Sequence, residues 1–434
     1  MQLTIPDKVM KVIKRIKSSG SNIYVVGGSI RDLLLGEEPK DWDLATNMDL
    51  NELSKLFPNR AIIRQEYKVL MLSYMGTDLQ IAQLRSEGKY RDGRHPDLIK
   101  AGVTLKEDVK RRDFTVNGIY YDPINSKIID HVDGISDLKK RQIKTIGESS
   151  VRLSEDYLRI LRAIRFAGKL KFNIEKNTFD SILNLSNLTK RISGERVKDE
   201  ITRMLLSENA FHSIELLVRS KILHNLFSDF LVLPKFSSKF LKDFKSSKRK
   251  IENASSTSSA VSWAIFLRCL FLEYYNDKKF PEIIPKKSTI YVQVSDLLKL
   301  KLKFNNTERK KILNILQNQQ FLIVSNKDEN KIWKKTLRFP FIIETLEFFR
   351  IMYSSRKGFS EILNFWTEKL KTTRLADLQP KKLIKGNDLI KLGIGKGPDI
   401  EKILLTIEEE QLEERIKSKK QAIEFVKKQF IEKK

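Results

Sequence analysis

Apolar positions in residues 5–19 recur at helical spacing, and the turn formers of Ser19-Gly20-Ser21-Asn22 close that segment, so the chain opens with an amphipathic helix. The run IYVVGG then reads as a short buried strand and SIRDLLLG as a helix closed by glycine. DWDLAT is a second strand, and KVLMLSY with TDLQIAQL forms a hairpin across Met75-Gly76. Strands separated by only one or two helices, up to about residue 145, predict a small mixed-sheet domain of the α+β kind. From SEDYLRILRAIRFAGKL onward the period is 3.6, with EKNTFDSILNLSNL, GERVKDEITRMLL and NAFHSIELLVRSKIL as successive helices. Residues 150–225 therefore read as a helical neck. The Lys- and Ser-rich segment 234–259 reads as an exposed connection or an irregular helix with a loop. Apolar helices resume at 260–275, 292–299, 309–323 and 338–353, and the closing stretch 381–434 carries a helix start at DLIKLGI, a Gly-Pro joint in GKGPDI and two further helices.

Composition adds a partner class. The 434 residues hold 82 Lys plus Arg against 55 Asp plus Glu, a formal charge of +27. Such a surface attracts phosphate backbones, although a generally Lys-rich composition would also produce it. A single cysteine, Cys269, rules out an intrachain disulfide and disfavours a cysteine zinc site, which makes a reducing, cytoplasmic setting the default. The first residues alternate apolar and basic positions without a signal-like apolar core, and no run of about 18 apolar residues suggests a membrane span.

Candidate chemistry lies in the first third. Asp41 and Asp43 are two apart, so on a strand both carboxylates face one side. Convergent carboxylates repel unless a cation lies between them, and two Mg²⁺ ions held this way suit phosphoryl transfer to a hydroxyl. Alone, the pair could equally be a solvated turn. Gly27 and Gly28 leave a strand just before a helix, where backbone amides hold phosphate, and Arg31 one turn on could add a charge-assisted bond or pair with Asp32 or Asp41. The spacing lacks the G-x-G-x-x-G of a dinucleotide fold. In KRRDFTVNGIYYD, Asp113 and Asn117 would share one helix face after Lys110, Arg111 and Arg112, available to a ribose hydroxyl or to each other. Glu155, Arg159 and Arg162 lie near one face of the neck helix and could be a surface ion ladder. The four histidines show no ligand or triad spacing.

In this order, GGSIRD at 27–32, DWD at 41–43, LRSEGKYRDGRHPD at 84–97, EDVKRRDFTVNGIYYDP at 107–123, EDYLRILRAIRF at 155–166 and GERVKDE at 194–200 resemble the bacterial-type (class II) tRNA nucleotidyltransferase and poly(A) polymerase family of the polymerase-β-like superfamily. The closing block from Lys382 resembles the tail of enzymes that add CCA to tRNA. The resemblance implies an α+β fold, with a polymerase-β-like nucleotidyltransferase domain of mixed sheet and helices followed by all-helical neck, body and tail. The expected boundaries are a catalytic head at 1–148, a neck with the base-recognition motif at 149–210, a body at 211–335 and an RNA-binding tail at 336–434. It implies catalytic, Mg²⁺-binding carboxylates at Asp41 and Asp43, with two ions. Gly27, Gly28 and Arg31 would form the triphosphate-side turn, and Arg112, Asp113 and Asn117 would order the nucleotide's phosphates and ribose. Asp156 and Arg159, with Glu155 beside them, would read the base; Arg162 and Arg165 follow on the same helix as further nucleotide-site residues, Arg165 being better placed by helix spacing to orient its neighbours than to touch a base.

Where the family often carries an acidic residue this chain has Gln80; either Asp78, two residues earlier, supplies a third metal ligand or two carboxylates suffice. The implied activity is addition of C, C and A to the tRNA 3′ end from CTP and ATP. The partners are the 3′ end and acceptor arm of tRNA, with no membrane and no obligate protein partner implied. Poly(A) polymerase, CC-adding and A-adding activities are the alternatives within the family. Outside it the alternatives are a non-catalytic RNA-binding protein and, less favoured because it needs neither the neck motif nor so large a basic helical remainder, an enzyme that adenylylates a small molecule. The untruncated segment 84–106 and the closing block favour complete CCA addition.

Overall fold

The computed structural model describes residues 3–65, 68–90, 92–229, 240–242, 244–247, 258–274, 289–319, 321–324, 330–354 and 357–432. The chain divides into two compact units, Met1–Phe236 and Ser237–Lys434. The first begins with α1 (Asp7–Ser18), whose Val9, Val12, Ile13 and Ile16 form a single buried stripe. Then come β1 (Ile23–Val26), α2 (Gly27–Leu34), β2 (Trp42–Thr46), α3 (Leu50–Leu56), β3 (Ala61–Arg64), β4 (Val69–Tyr74) and β5 (Thr77–Gln83). A separate small hairpin, β6 (Arg85–Glu87) with β7 (Ile99–Ala101), precedes α4 (Leu105–Asp108), β8 (Ile119–Asp122) and β9 (Lys127–Asp130).

Seven of these strands form one mixed sheet in the order β3-β4-β5-β2-β1-β8-β9. The β2–β5 pair is parallel and places Asp43 opposite Gln80. The β4–β5 hairpin turns at Met75 and Gly76, both at positive φ, as a two-residue turn matched to strand twist requires. Side-chain alternation divides the sheet's faces. Val25, Leu44, Leu79 and Ile81 pack with the α1 stripe, while Val26, Ala45 and Tyr120 join Val103, Val109 and Ile146 on the other side. Asp43 shares the orientation of Ala45 and so looks out over that second face.

The unit continues through α5 (Gly134–Lys139), α6 (Ser149–Glu155), α7 (Leu158–Leu170), α8 (Lys176–Leu185), α9 (Gly194–Leu205), α10 (Ala210–Arg219) and α11 (Ile222–Phe227). The structure corrects three sequence expectations in this unit. The neck helix expected to run unbroken from Ser154 is broken at Asp156, whose backbone is extended (φ −139°, ψ 108°) and whose carboxylate accepts the Leu158 amide at 3.0 Å. A short acceptor side chain competes with the helix for a backbone amide, ending one helix and capping the next. The segment after Arg112 is not an α-helix either. Arg112 and Phe114 are extended, and only Thr115–Asn117 forms a 3₁₀ turn. The segment NAFHSIELLVRSKIL is likewise two helices, separated at Lys221 with φ 61°.

In the second unit every described element is helical, including Ser259–Tyr274, Asn306–Asn318, Ile342–Tyr353 and Phe359–Thr372. Leu322, Trp333, Phe349 and Trp366 form one core there, and Ile384, Leu389, Ile403, Ile407 and Val426 form another nearer the C-terminus. Of segment 234–259, residues 240–242 and 244–247 are helical, with Phe240 and Phe244 buried against Phe266. Residues 234–239, 243 and 248–257 lie outside the described residues. Among the described residues no helix is long and apolar enough to cross a membrane.

Candidate active site

The second face of the sheet floors a cleft of about 740 Å³, closed on its far side by α7 and α9. Gly27, Gly28, Arg31, Asp41, Asp43, Arg112, Asp113, Asn117, Asp156, Arg159, Arg162 and Arg165 all line it, as does Gln80. Asp78 does not. It is exposed at the start of β5, opposite Ser73 and next to the hairpin turn, so the strand position facing Asp43 is filled by Gln80.

The turn GGS builds the carboxylate site. Gly27 has φ +64°, and a Cβ there would lie 3.2 Å from the Asp43 Oδ2, so a side chain would intrude where that carboxylate sits. The Gly28 amide donates to Asp43. Ser29 Oγ receives the Asp43 amide at 2.7 Å and donates to the Asp41 carbonyl at 3.0 Å, clamping the peptide between the two aspartates onto the first turn of α2. Burial pushes the Asp43 carboxyl up, and Asp41 adds to this. Arg112, the Gly28 amide and Arg31 oppose it. The donors here are hard carboxylate oxygens. That donor set fits a hard divalent cation such as Mg²⁺. Among the described residues no group of three or more His, Cys, Asp or Glu side chains converges as a metal set.

The other side chains are held by partners distant in sequence. Arg31 is buried, binds Asp32 through Nε at 2.8 Å and Nη2 at 2.5 Å, and gives Nη1 to Asn117 Oδ1 at 2.7 Å. Asn117 in turn donates to Asp113 at 3.1 Å, and Asp113 pairs with Arg162 at 2.7 Å. Burial alone would raise the Asp113 pKa, but Arg162, Asn117 and Arg159 bring it down to about 2. Arg165 pairs with Glu200 at 2.5 Å and lies over the Phe166 ring. Asp156 accepts from Arg196 at 2.7 Å.

Arg159 pairs with Glu155 and donates to the carbonyls of Arg152 (2.9 Å) and Arg111 (3.1 Å). The alternative of a surface ion ladder along one helix is not what forms, since Arg162 turns to Asp113 instead. Gly93 packs on this point. Gly93 has φ +72° and a Cβ there would strike the Tyr157 ring at 2.4 Å, while the Tyr157 amide donates to the Gly93 carbonyl at 3.3 Å.

Among the described residues twelve Lys and Arg side chains line the cleft against six Asp and Glu. Lys40, Glu87, Tyr90, Lys169, Arg196 and Arg203 line it without having been singled out from sequence. No local signal marks most of them. Asp108, beneath the cleft, is different: its spacing of three and four residues to Arg111 and Arg112 is a charge pattern that could have flagged it.

A mixed sheet carrying paired carboxylates beside a glycine turn, roofed by arginine-rich helices, defines a nucleotidyltransferase. Residues 23–144 match the poly A polymerase head domain, 171–233 a probable RNA and SrmB-binding site of polymerase A, and 288–426 a putative tRNA nucleotidyltransferase domain 2. The CCA-adding enzyme of Lactobacillus gasseri is 31% identical over 289 residues, covering 67% of this chain and 70% of that one. That of Lactobacillus johnsonii is 28% identical over 96% of both chains. The crystal structure of the Bacillus stearothermophilus CCA-adding enzyme in complex with CTP has a TM-score of 0.69 at 22% identity, covering 99% of this chain and 100% of that one. The chain belongs to the family of CCA-adding enzymes, the tRNA nucleotidyltransferases.

Proposed function

We propose that the protein adds C, C and A to the 3′ end of tRNA, taking CTP and ATP and releasing diphosphate. The observation that carries this reading is the clamped Asp41–Asp43 pair, which meets the Gly27–Gly28 turn and Arg112 at one end of a cationic cleft. Asp41 and Asp43 would hold Mg²⁺, which when bound lowers the pKa of the attacking 3′-hydroxyl and neutralises charge on the triphosphate. The chain's own part is positioning and electrostatics. The Gly27–Gly28 turn, which leaves room beside Asp43, and the Arg112 guanidinium orient the triphosphate for in-line attack, and the cleft's surplus of guanidinium groups stabilises the departing diphosphate. Asp113 and Asn117, already bonded to each other, take the ribose.

Base choice follows from hydrogen-bond complementarity. Cytosine and adenine both present an exocyclic amine donor beside a ring-nitrogen acceptor, so one carboxylate and one guanidinium serve both; uracil and guanine present the reverse order. Asp156 and Arg159 are that pair, with Arg196 and Glu155 as the neighbours that fix them. RNA is bound by its phosphates through the basic surface of the helical remainder.

The reading is tested by incubating the full chain with Mg²⁺ and tRNA transcripts ending at the discriminator base, at C and at CC, with CTP, ATP or both, and resolving products at single-nucleotide length. CC from CTP alone, one A on the CC-ended transcript and a stop after CCA are expected. A long ATP-dependent ladder would mark a poly(A) polymerase, and activity confined to one step a CC- or A-adding enzyme. No extension at all would leave an RNA-binding protein.

A further inference from the structure

Directly beneath the cleft lies Asp108, a carboxylate with no solvent exposure and four partner residues. Its Oδ2 accepts from Arg112 Nε and Nη2, each at 3.1 Å, and from the Tyr120 hydroxyl at 2.7 Å. Its Oδ1 accepts from Arg111 at 2.8 Å and from the Arg85 amide at 3.1 Å. Arg112 Nε also contacts the Tyr120 oxygen at 3.1 Å, and its guanidinium lies over the Tyr120 ring, 5.0 Å from the centroid. Two of the three guanidinium nitrogens are thus bound on one edge. The remaining Nη1 is turned to the opposite side, where it lies 3.8 Å from the Cβ position of Gly27, the position that is itself 3.2 Å from the Asp43 Oδ2.

We propose that Asp108 is a positioning residue for nucleotidyl transfer, holding the Nε/Nη2 edge of Arg112 so that Nη1 is presented to the nucleotide's phosphates beside Asp43. An unanchored arginine would have to be ordered each time a triphosphate enters, and would also be free to fold onto Asp43 and compete with the metal. Asp108 prevents both. Tyr120 completes the frame, since its hydroxyl donates to the carboxylate while its ring supports the guanidinium plane. Burial would raise the Asp108 pKa, but Arg112, Arg111, the Tyr120 hydroxyl and the Arg85 amide bring it to about 2, so the anchor is charged at any working pH. A purely architectural role is the competing account, because the same carboxylate ties down the start of β6 through the Arg85 amide.

This rests on the reading that Arg112 grips the phosphates, and the experiment separates the two. Steady-state kinetics of the full chain would be measured on a CC-ended transcript with ATP varied, and in reverse on a CCA-ended transcript with diphosphate varied, for wild type, D108N, R112K, D108N/R112K and Y120F. R112K and D108N are each expected to raise both KM values about tenfold, and the double variant to exceed R112K by less than twofold. Unchanged KM values in R112K would overturn the reading of Arg112 and the proposal with it. A defect in R112K beside a D108N variant that lowers only kcat, or two effects that multiply, would overturn the proposal alone, because loss of folded enzyme lowers kcat without moving KM. Y120F leaves no buried charge uncompensated and decides the matter if D108N does not fold. A two- to threefold rise in KM for ATP is expected, and no change overturns the assignment.

Discussion

At the scale of the residue, the site depends on positions where a few atoms more would not fit. Gly27 combines a left-handed backbone with a Cβ position that abuts Asp43. Gly27→Ala should therefore lower kcat/KM by about 100-fold, as displacements near 1 Å do at reacting centres. Its far-UV circular dichroism and RNA affinity should stay as in wild type; full activity would show that the turn tolerates a side chain. Two buried aspartates set a second expectation. The pKa values of Asp108 and Asp113 are held near 2 in the folded chain, against about 3.9 unfolded. A depressed carboxylate stabilises the fold above its unfolded pKa and loses that stabilisation as pH falls through the folded one. Stability should thus drop between pH 4 and pH 2, by roughly 2 kcal/mol for each group. Denaturant midpoints measured across that range should fall less steeply in D113N than in wild type.

At the scale of the element, the break between α6 and α7 puts Asp156 at a helix start rather than inside a helix. Asp156→Ala removes the cap on the Leu158 amide and the partner of Arg196. A cost of about 1 kcal/mol for the cap follows. Thermal unfolding of the first unit should shift down by about 2–4 °C. D156N, which retains an oxygen acceptor for the amide, should recover most of that loss but not the selection of C and A over U and G.

This break was illegible in the sequence because the apolar positions Leu153, Ile160, Leu161 and Ile164 continue at helical spacing through it. α1, the β4–β5 hairpin and the strand bearing Asp43 were legible, since each is set by a local pattern of apolar residues and turn formers. The site was legible to the same depth. Residues adjacent in motifs could be named, whereas their partners could not. Asn117 meets Arg31 across 86 positions, Arg162 meets Asp113 across 49 and Arg196 meets Asp156 across 40. Such pairings exist only once the sheet and α7 have come together.

At the scale of the whole molecule, the net charge of +27 has a local counterpart in the cleft, where among the described residues cations outnumber carboxylates two to one. Like charges held at close quarters raise the free energy of the folded chain. A cleft shaped for a triphosphate is thus a weak point of the fold while nothing fills it. A polyanion that binds only the folded form relieves the repulsion and stabilises it by mass action. Diphosphate without added metal should raise Tm measurably, the shift should shrink as salt screens the cleft, and an equal concentration of sulfate should do less. No shift at low salt would mean that the guanidinium groups are already neutralised by their own partners. Where the shift appears, the same arginines to which we assign a part in catalysis make the empty enzyme the more perishable one, and the nucleotide pool around it becomes part of what keeps it folded.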